Sequence, residues 1–349
     1  DATVEISNDV ISHIEDGANE NADKIIEGIL IPGFVDIHCH GGGGARFSAL
    51  TPGEIHSVIQ THRGHGTTSL FASLVTEPIE VLKAQIERLK PFVLSGQIAG
   101  IHLEGPYLSH ARCGAHDPAL LINPDLSEIK ELLQLADGAI AMITIAPELP
   151  GASDAISHLT AAGVTVALGH TDGDFADAAA GTNAGGRIIT HFMNAMDKGL
   201  NETSFASFVI ADERLTVELI LDGHHVPYKT AQEIYAAVGN RLIFVKDAMA
   251  AAGGTDGNYT IGSLPVIVKD GVARLESNGS LAGSTLTMDA IFRNSIQELG
   301  LSIPEAVAAT STRAAKLMGL TDRGEIAVGN RADLLSYNES TQSITLINS

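Results

Sequence analysis

The sequence predicts a (β/α)8 barrel, and three observations carry that expectation. Eight short runs of Ile, Val and Leu recur along the chain, each nearly continuous, as strands covered on both faces should be. Segments with helix-start signals fall between most of them. Histidines and carboxylates stand at the C-terminal ends of these runs, the face on which a barrel gathers its chemistry.

The first thirty residues read as short strands without helical period: "TVEISNDVISHIED" and "KIIEGILIPG", with turns at Asn8-Asp9 and near Gly17. From Phe34 the pattern changes. The eight runs are "FVDIH" (34–38), "TTSLFASLV" (67–75), "IAGIHLEG" (98–105), "GAIAMITIA" (138–146), "GVTVALGH" (163–170), "GRIITHF" (186–192), "LTVELILDG" (215–223) and "LIFVKDA" (242–248). The first intervening helix has Thr51 as N-cap, Pro52 at N1 and Glu54 at N3, and ends at Gly64 or Gly66. Segments 78–89, 125–135, 152–162, 174–184 and 227–238 repeat the theme. A dinucleotide-binding sheet is a poorer fit, because "GGGG" at 41–44 opens no helix and lacks an acidic partner at the required distance. Residues 253–276 read as loops with a short hairpin, followed by helices near 287–299 and 304–318. The strand-like tail "GEIAVGNRADLLSY" (324–337) and the orphaned first strands are expected to meet in one small β domain, residues 1–31 plus 322–349, beside a barrel of 32–321.

Charge narrows the partners. Lys and Arg total 21 against 42 Asp and Glu, a formal charge of −21, which repels nucleic acid and anionic lipid at long range. An anionic small substrate then needs a local positive feature, a metal or a helix N-terminus. Neither a signal-peptide pattern nor an apolar run of about 18 residues is present, so no membrane span is expected. The only cysteines are Cys39 and Cys113, and Cys39 sits between two histidines, so a reduced, cytoplasmic setting is expected.

In the barrel reading His38 and His40 close the first strand, His102 and Glu104 the third, and His170 the fifth. His191 closes the sixth, Asp222 and His225 the seventh, and Asp247 the eighth. A lone histidine at a strand end is ordinarily a solvated or hydrogen-bonded residue. Strand alternation turns both rings of the His-x-His pair to one face, which metal binding is one of several reasons to want. Six groups at five matching strand ends, His38, His40, Glu104, His170, His191 and Asp247, are the inventory of a divalent metal site.

The motifs "GFVDIHCHG", "HLEGPYLS", "GHT", "THFMNAM", "DGHHV" and "KDAMAAAG", with the terminal "GNRADL", resemble in matching order those of the N-acetylglucosamine-6-phosphate deacetylases of the amidohydrolase superfamily. The resemblance spans essentially the chain. It implies a (β/α)8 barrel with a β-sandwich built from both chain ends, a homodimer, and hydrolysis of the acetamide of N-acetyl-D-glucosamine 6-phosphate to amine and acetate. It assigns Glu104, His170 and His191 to the principal metal, with His38 and His40 available to a second ion. Asp247 matches the catalytic aspartate, His116 and His225 the substrate-contacting histidines, and Asn194 and Ala195 the sugar or phosphate contacts. The cation is zinc first, with Fe2+, Mn2+ and Co2+ served by overlapping donors. In this chemistry Asp247 moves the proton from water to the leaving nitrogen, and His225 hydrogen-bonds the developing oxyanion.

The chain also departs from that family. Where an Arg commonly follows "NAM" to bind the 6-phosphate, Met196 is followed by "DKGLNETSF", in which Lys198 offers only a point charge. A non-phosphorylated or differently phosphorylated amino sugar is therefore an alternative substrate, and a non-catalytic sugar-binding barrel is the alternative outside enzymes. Lys246, before Asp247, balances charge, perturbs Asp247 or points away by strand alternation. Arg112 lies in a lid-like loop, "SHARCGAH", as either a phosphate contact or a surface residue. The glycines at 41–44 read as backbone that lets substrate or metal approach closely.

Overall fold

The structure is a computed structural model that describes residues 1–347. All eight apolar runs form strands of one sheet in sequence order: Phe34–Asp36, Thr67–Leu74, Gly100–Glu104, Ile140–Ile145, Thr165–Leu168, Ile188–Ile189, Thr216–Ile220 and Leu242–Val245. Every neighbouring pair is parallel. The first and eighth strands share no regular ladder. The Asp247 N–H donates to the His38 carbonyl at 3.0 Å, and the His40 and Gly41 N–H groups both reach Ala248 O, at 2.8 and 3.0 Å, so the sheet closes as a barrel through its loop-bearing ends.

Alternation along each strand sorts the side chains. Val35, Ile37, Phe71, Met142, Ala167, Ile188, Ile220, Ile243 and Val245 fill the barrel interior in one buried cluster, with Ala314 and Ala315 against it. Phe34, Leu103, Leu168, Leu219 and Phe244 belong to the larger cluster between sheet and helices. Each such side chain contributes roughly 1.5–3 kcal/mol on burial. Asp36 and Lys246 share the register of Phe34 and Phe244, so both lie on the outer face. There Lys246 Nζ meets Asp36 Oδ2 at 3.0 Å, with both side chains fully buried. Lys246 thus points away from the cavity, the third of the roles the sequence left open.

The helix starts follow their capping chemistry. Thr51 and Glu54 form the expected capping box on Pro52–Gly64, and Asp125 and Asp174 cap Leu126–Ala136 and Phe175–Ala184. Helix Phe205–Ala211, capped by Ser204, was not foreseen, because its seven residues are too few and too apolar to show a period. The helix expected over 304–318 runs from Ile303 to Leu317 with a π-turn at Ala308–Thr312, which packs on the first and eighth strands. The expected hairpin in 253–276 is a three-stranded antiparallel meander, Gly257–Ile261, Leu264–Lys269 and Val272–Leu275.

At the ends of the chain, Ala2–Ser7 and Val10–Asp16 form a hairpin, and Ile29–Pro32 pairs antiparallel with Leu334–Asn338, which pairs with Ser343–Ile347. Ile11, Ala332 and Leu334 are buried between these two small sheets. The last two residues of the expected end domain, 348–349, lie outside the described residues. Among the described residues no helix is long and apolar enough to cross a membrane, and both cysteines are free.

Candidate active site

The six strand-end groups converge. His38, His40, Glu104 and Asp247 form one set of potential donors and Glu104, His170 and His191 a second, with the donor atoms of each set within 4.8 Å of one another and every residue buried. Glu104 is common to both. Its Oε1 lies 3.4, 3.2 and 3.1 Å from the Nε2 atoms of His38, His170 and His191, and its Oε2 lies 3.0 Å from His40 Nε2. Asp247 Oδ1 lies 3.5 Å from His38 Nε2 and 3.4 Å from His40 Nε2. Strand ends alone do not bring this about. His170, His191 and Asp247 have φ of 48°, 28° and 47°, and Met193 and Ala195 are also positive, so the chain turns sharply at the site in conformations that non-glycine residues rarely adopt.

Hydrogen bonds on the far side of the rings decide which nitrogen faces inward. His40 Nδ1 donates to the Ser73 carbonyl at 3.2 Å, and His170 Nδ1 to the Arg112 carbonyl at 2.9 Å. Carbonyls only accept, so these rings turn Nε2 toward the cluster. His38 and His40 meet Nε2 to Nε2 at 3.2 Å, and His170 and His191 at 3.0 Å. Bare lone pairs at these separations repel, and a cation between them and the two carboxylates relieves both repulsions. The donor set therefore fits a divalent metal.

The electrostatics agree. Burial alone would lower the pKa of His38 and His40, yet Glu104 and Asp247 hold His38 well above its ordinary value and raise His40 too. Burial alone would raise the carboxylates, yet the facing histidines hold Glu104 well below the usual range and Asp247 below it. Protons and a metal compete for the same Nε2 atoms.

Above the cluster opens a cavity of about 340 Å3 whose walls include Gly114, His116, Asn194, Ala195, Lys198 and His225, with Asp247 at its base. His116 accepts the Thr76 N–H on Nδ1 at 3.2 Å and so presents Nε2–H toward Glu104 Oε2, 3.3 Å away; burial pushes its pKa down to about 4. His225 Nδ1 donates to Asp222 Oδ2 at 2.6 Å, while Asp222 Oδ1 accepts the His224 and His225 N–H groups, both at 2.8 Å. Asn194 Nδ2 is tied back to the His191 carbonyl at 3.1 Å. Gly114, at φ 57°, packs so closely that a Cβ would stand 3.0 Å from His170 Cε1.

Arg112, left open between a phosphate contact and a surface residue, donates from Nε to Asp172 Oδ1 at 2.7 Å and is not among the residues of the cavity wall. The glycines at 41–44 do not line the cavity either. A Cβ on Gly41, Gly42 or Gly43 would strike Ala45 O, His62 Nε2 or Thr61 Oγ1, so they serve close packing of a tight hairpin. His102 lies beneath the cluster, bonded to Ser73 Oγ and Thr144 Oγ1, both at 2.9 Å, with its pKa driven well down by burial. Glu218 escaped notice, although its Oε2 lies 3.2 Å from His38 Nδ1. The available signal was a carboxylate in the middle of the apolar run "LTVELILDG", four residues before the strand-end Asp222.

Comparison with known proteins gives this geometry a context. The amidohydrolase family model matches residues 29–346. The N-acetylgalactosamine-6-phosphate deacetylase of Escherichia coli is 32% identical over 97% of this chain and 91% of its own, and the N-acetylglucosamine-6-phosphate deacetylase of Vibrio furnissii 33% identical over 97% and 87%. A structure of the N-acetyl-D-glucosamine-6-phosphate deacetylase of Mycobacterium smegmatis, in complex with N-acetyl-D-glucosamine-6-phosphate, superposes with a TM-score of 0.95 at 39% identity, covering 99% of this chain and 93% of the other. With near-complete coverage on both sides, the chain belongs to the amidohydrolase family, in its N-acetylglucosamine-6-phosphate deacetylase branch.

Proposed function

We propose that the chain hydrolyses N-acetyl-D-glucosamine 6-phosphate to D-glucosamine 6-phosphate and acetate, at a centre holding one or two zinc ions. The observation that carries this reading is Glu104 shared between two sets of imidazole and carboxylate donors at the base of a sugar-sized cavity. Glu104, His170 and His191 would hold the first ion, and His38 and His40 with Asp247 the second. A bound divalent cation supplies Lewis acidity, which lowers the pKa of water and polarises the amide carbonyl. Asp247, kept ionised by its histidine neighbours, takes a proton from the attacking water and delivers it to the nitrogen as the C–N bond breaks. His225 gives its Nδ1–H to Asp222, so only the protonated ring can donate from Nε2 to the developing oxyanion.

Lys198 is the one Lys or Arg among the residues of the cavity wall and would take the 6-phosphate, with Asn194 and the Ala195 backbone on the sugar. The galactosamine-type relative, as similar as the glucosamine-type one, makes the 4-epimer the second substrate to try. The proposal extends to a homodimer, which the family resemblance implies, to a cytoplasmic setting, which the two free cysteines suit, and to a β-sandwich of residues 1–31 and 322–349, supported by the pairing of Ile29–Pro32 with Leu334–Asn338.

Acetate release by the zinc-reloaded chain from N-acetylglucosamine 6-phosphate, its 4-epimer and free N-acetylglucosamine tests the reading. A charge-assisted phosphate contact is expected to favour the phosphorylated sugar by about 10- to 100-fold in kcat/KM. Equal efficiency on the free sugar would sink phosphate-directed recognition.

A further inference from the structure

We infer that Glu218 is a positioning residue that holds one histidine from each half of the donor cluster. It stands in the middle of strand Thr216–Ile220 without solvent exposure. One oxygen makes both of its side-chain contacts: Oε2 lies 3.2 Å from His38 Nδ1 and 3.2 Å from the His191 backbone N–H. His38 belongs to one donor set and His191 to the other.

A carboxylate only accepts, so His38 must donate from Nδ1, which leaves Nε2 for the cluster. Without that acceptor the ring is free to carry its proton on Nε2, where ligation is blocked. The second contact fixes a backbone turn: His191 sits at φ 28°, which costs free energy in a non-glycine residue and persists only where neighbours hold it. Burying a carboxylate is itself unfavourable, and Oε1 has no hydrogen-bond partner among the described residues. An apolar residue at this position would suit the barrel better, so the carboxylate is explained by what it does to the two histidines.

The inference rests on His38 and His191 acting as ligands, the reading given under Proposed function. Zn2+ titration of the metal-free full chain by calorimetry, with His38→Asn, Glu218→Met and Glu218→Gln beside the wild type, separates the two ideas. Two binding events are expected in the wild type, and His38→Asn removes one and thereby identifies it. Glu218→Met, of similar length but without an acceptor, is expected to weaken that same event about 10- to 100-fold, with a smaller loss at the other. Glu218→Gln, whose carbonyl still accepts, recovers most of it.

Unchanged affinity for the His38-dependent ion in Glu218→Met, or equal weakening of both events, overturns the positioning role while the ligand reading stands. A His38→Asn variant that titrates like the wild type overturns the ligand reading and this inference together. Should Glu218→Met fail to fold, the tautomer of His38 in the zinc-loaded wild type decides: nitrogen-15 spectra are expected to show Nδ1 protonated, and a bare Nδ1 overturns the proposal.

Discussion

The backbone N–H of Asp247 donates to the carbonyl of His38 at 3.0 Å, so the residue assigned to proton transfer is fastened to the first strand's histidine pair through main chain as well as through its carboxylate. The same seam closes the barrel. One residue back from Asp247 and two back from His38, Lys246 and Asp36 make their buried ion pair on the outer face.

Breaking that pair leaves an uncompensated buried charge. Lys246→Met is expected to destabilise the fold by about 3–5 kcal/mol, and the double variant with Asp36→Leu to recover a large part of the loss. Urea unfolding of the three proteins measures both; a Lys246→Met variant as stable as the wild type would show that the pair does not hold the seam.

Asp289 gives a pH-dependent counterpart. Burial would raise its pKa, but hydrogen bonds from His65 and Thr287 and the charge of Arg293 hold it far below the usual carboxylate range. A depressed folded-state pKa stabilises above the unfolded value, about 3.9, and that contribution is lost as pH falls through the folded value. Asp289→Asn should therefore lower the unfolding free energy from urea titration at pH 7 by an amount on the order of 2 kcal/mol, and the gap between variant and wild type should narrow steadily below about pH 4. A gap independent of pH excludes the charge as its source.

Lys198 should act on binding rather than chemistry. In Lys198→Met the KM for the phosphorylated sugar is expected to rise about 10- to 100-fold with kcat little changed, and the KM for the free sugar to stay put. Equal rises for both sugars would point to a packing role in the cavity wall.

For Asp247 the expected signature is the reverse. Asp247→Asn should retain the ion of Glu104, His170 and His191 while turnover falls about 100- to 10,000-fold. Steady-state rates set against metal content of the same preparation measure this, and undiminished turnover removes Asp247 from proton transfer.

Much of this was legible in the sequence for one reason: each barrel strand is a short apolar run, and a His, Asp or Glu at the end of such a run has no packing purpose there. That placed His38, His40, Glu104, His170, His191 and Asp247 at one mouth, and the motifs around them named the family. Glu218 was hidden because it lies inside its run, where strand periodicity does not tell an inward carboxylate from an outward one. The committed geometry of Arg112 was hidden for a different reason, since its partner Asp172 lies sixty residues away in another loop. The positive φ angles at His170, His191 and Asp247 belong to tertiary structure and leave no mark on the residue type.

Glu104 is the only residue common to both donor sets, so the account stands or falls on it most directly. The measurement is acetate released from N-acetylglucosamine 6-phosphate by metal-stripped, zinc-reloaded chain, with Glu104→Gln alongside. The account predicts zinc-dependent acetate, one per sugar consumed, from the wild type, and neither retained zinc nor acetate from the variant. A zinc-loaded wild type that binds the sugar and releases no acetate, or a Glu104→Gln variant as active as the wild type, would contradict it.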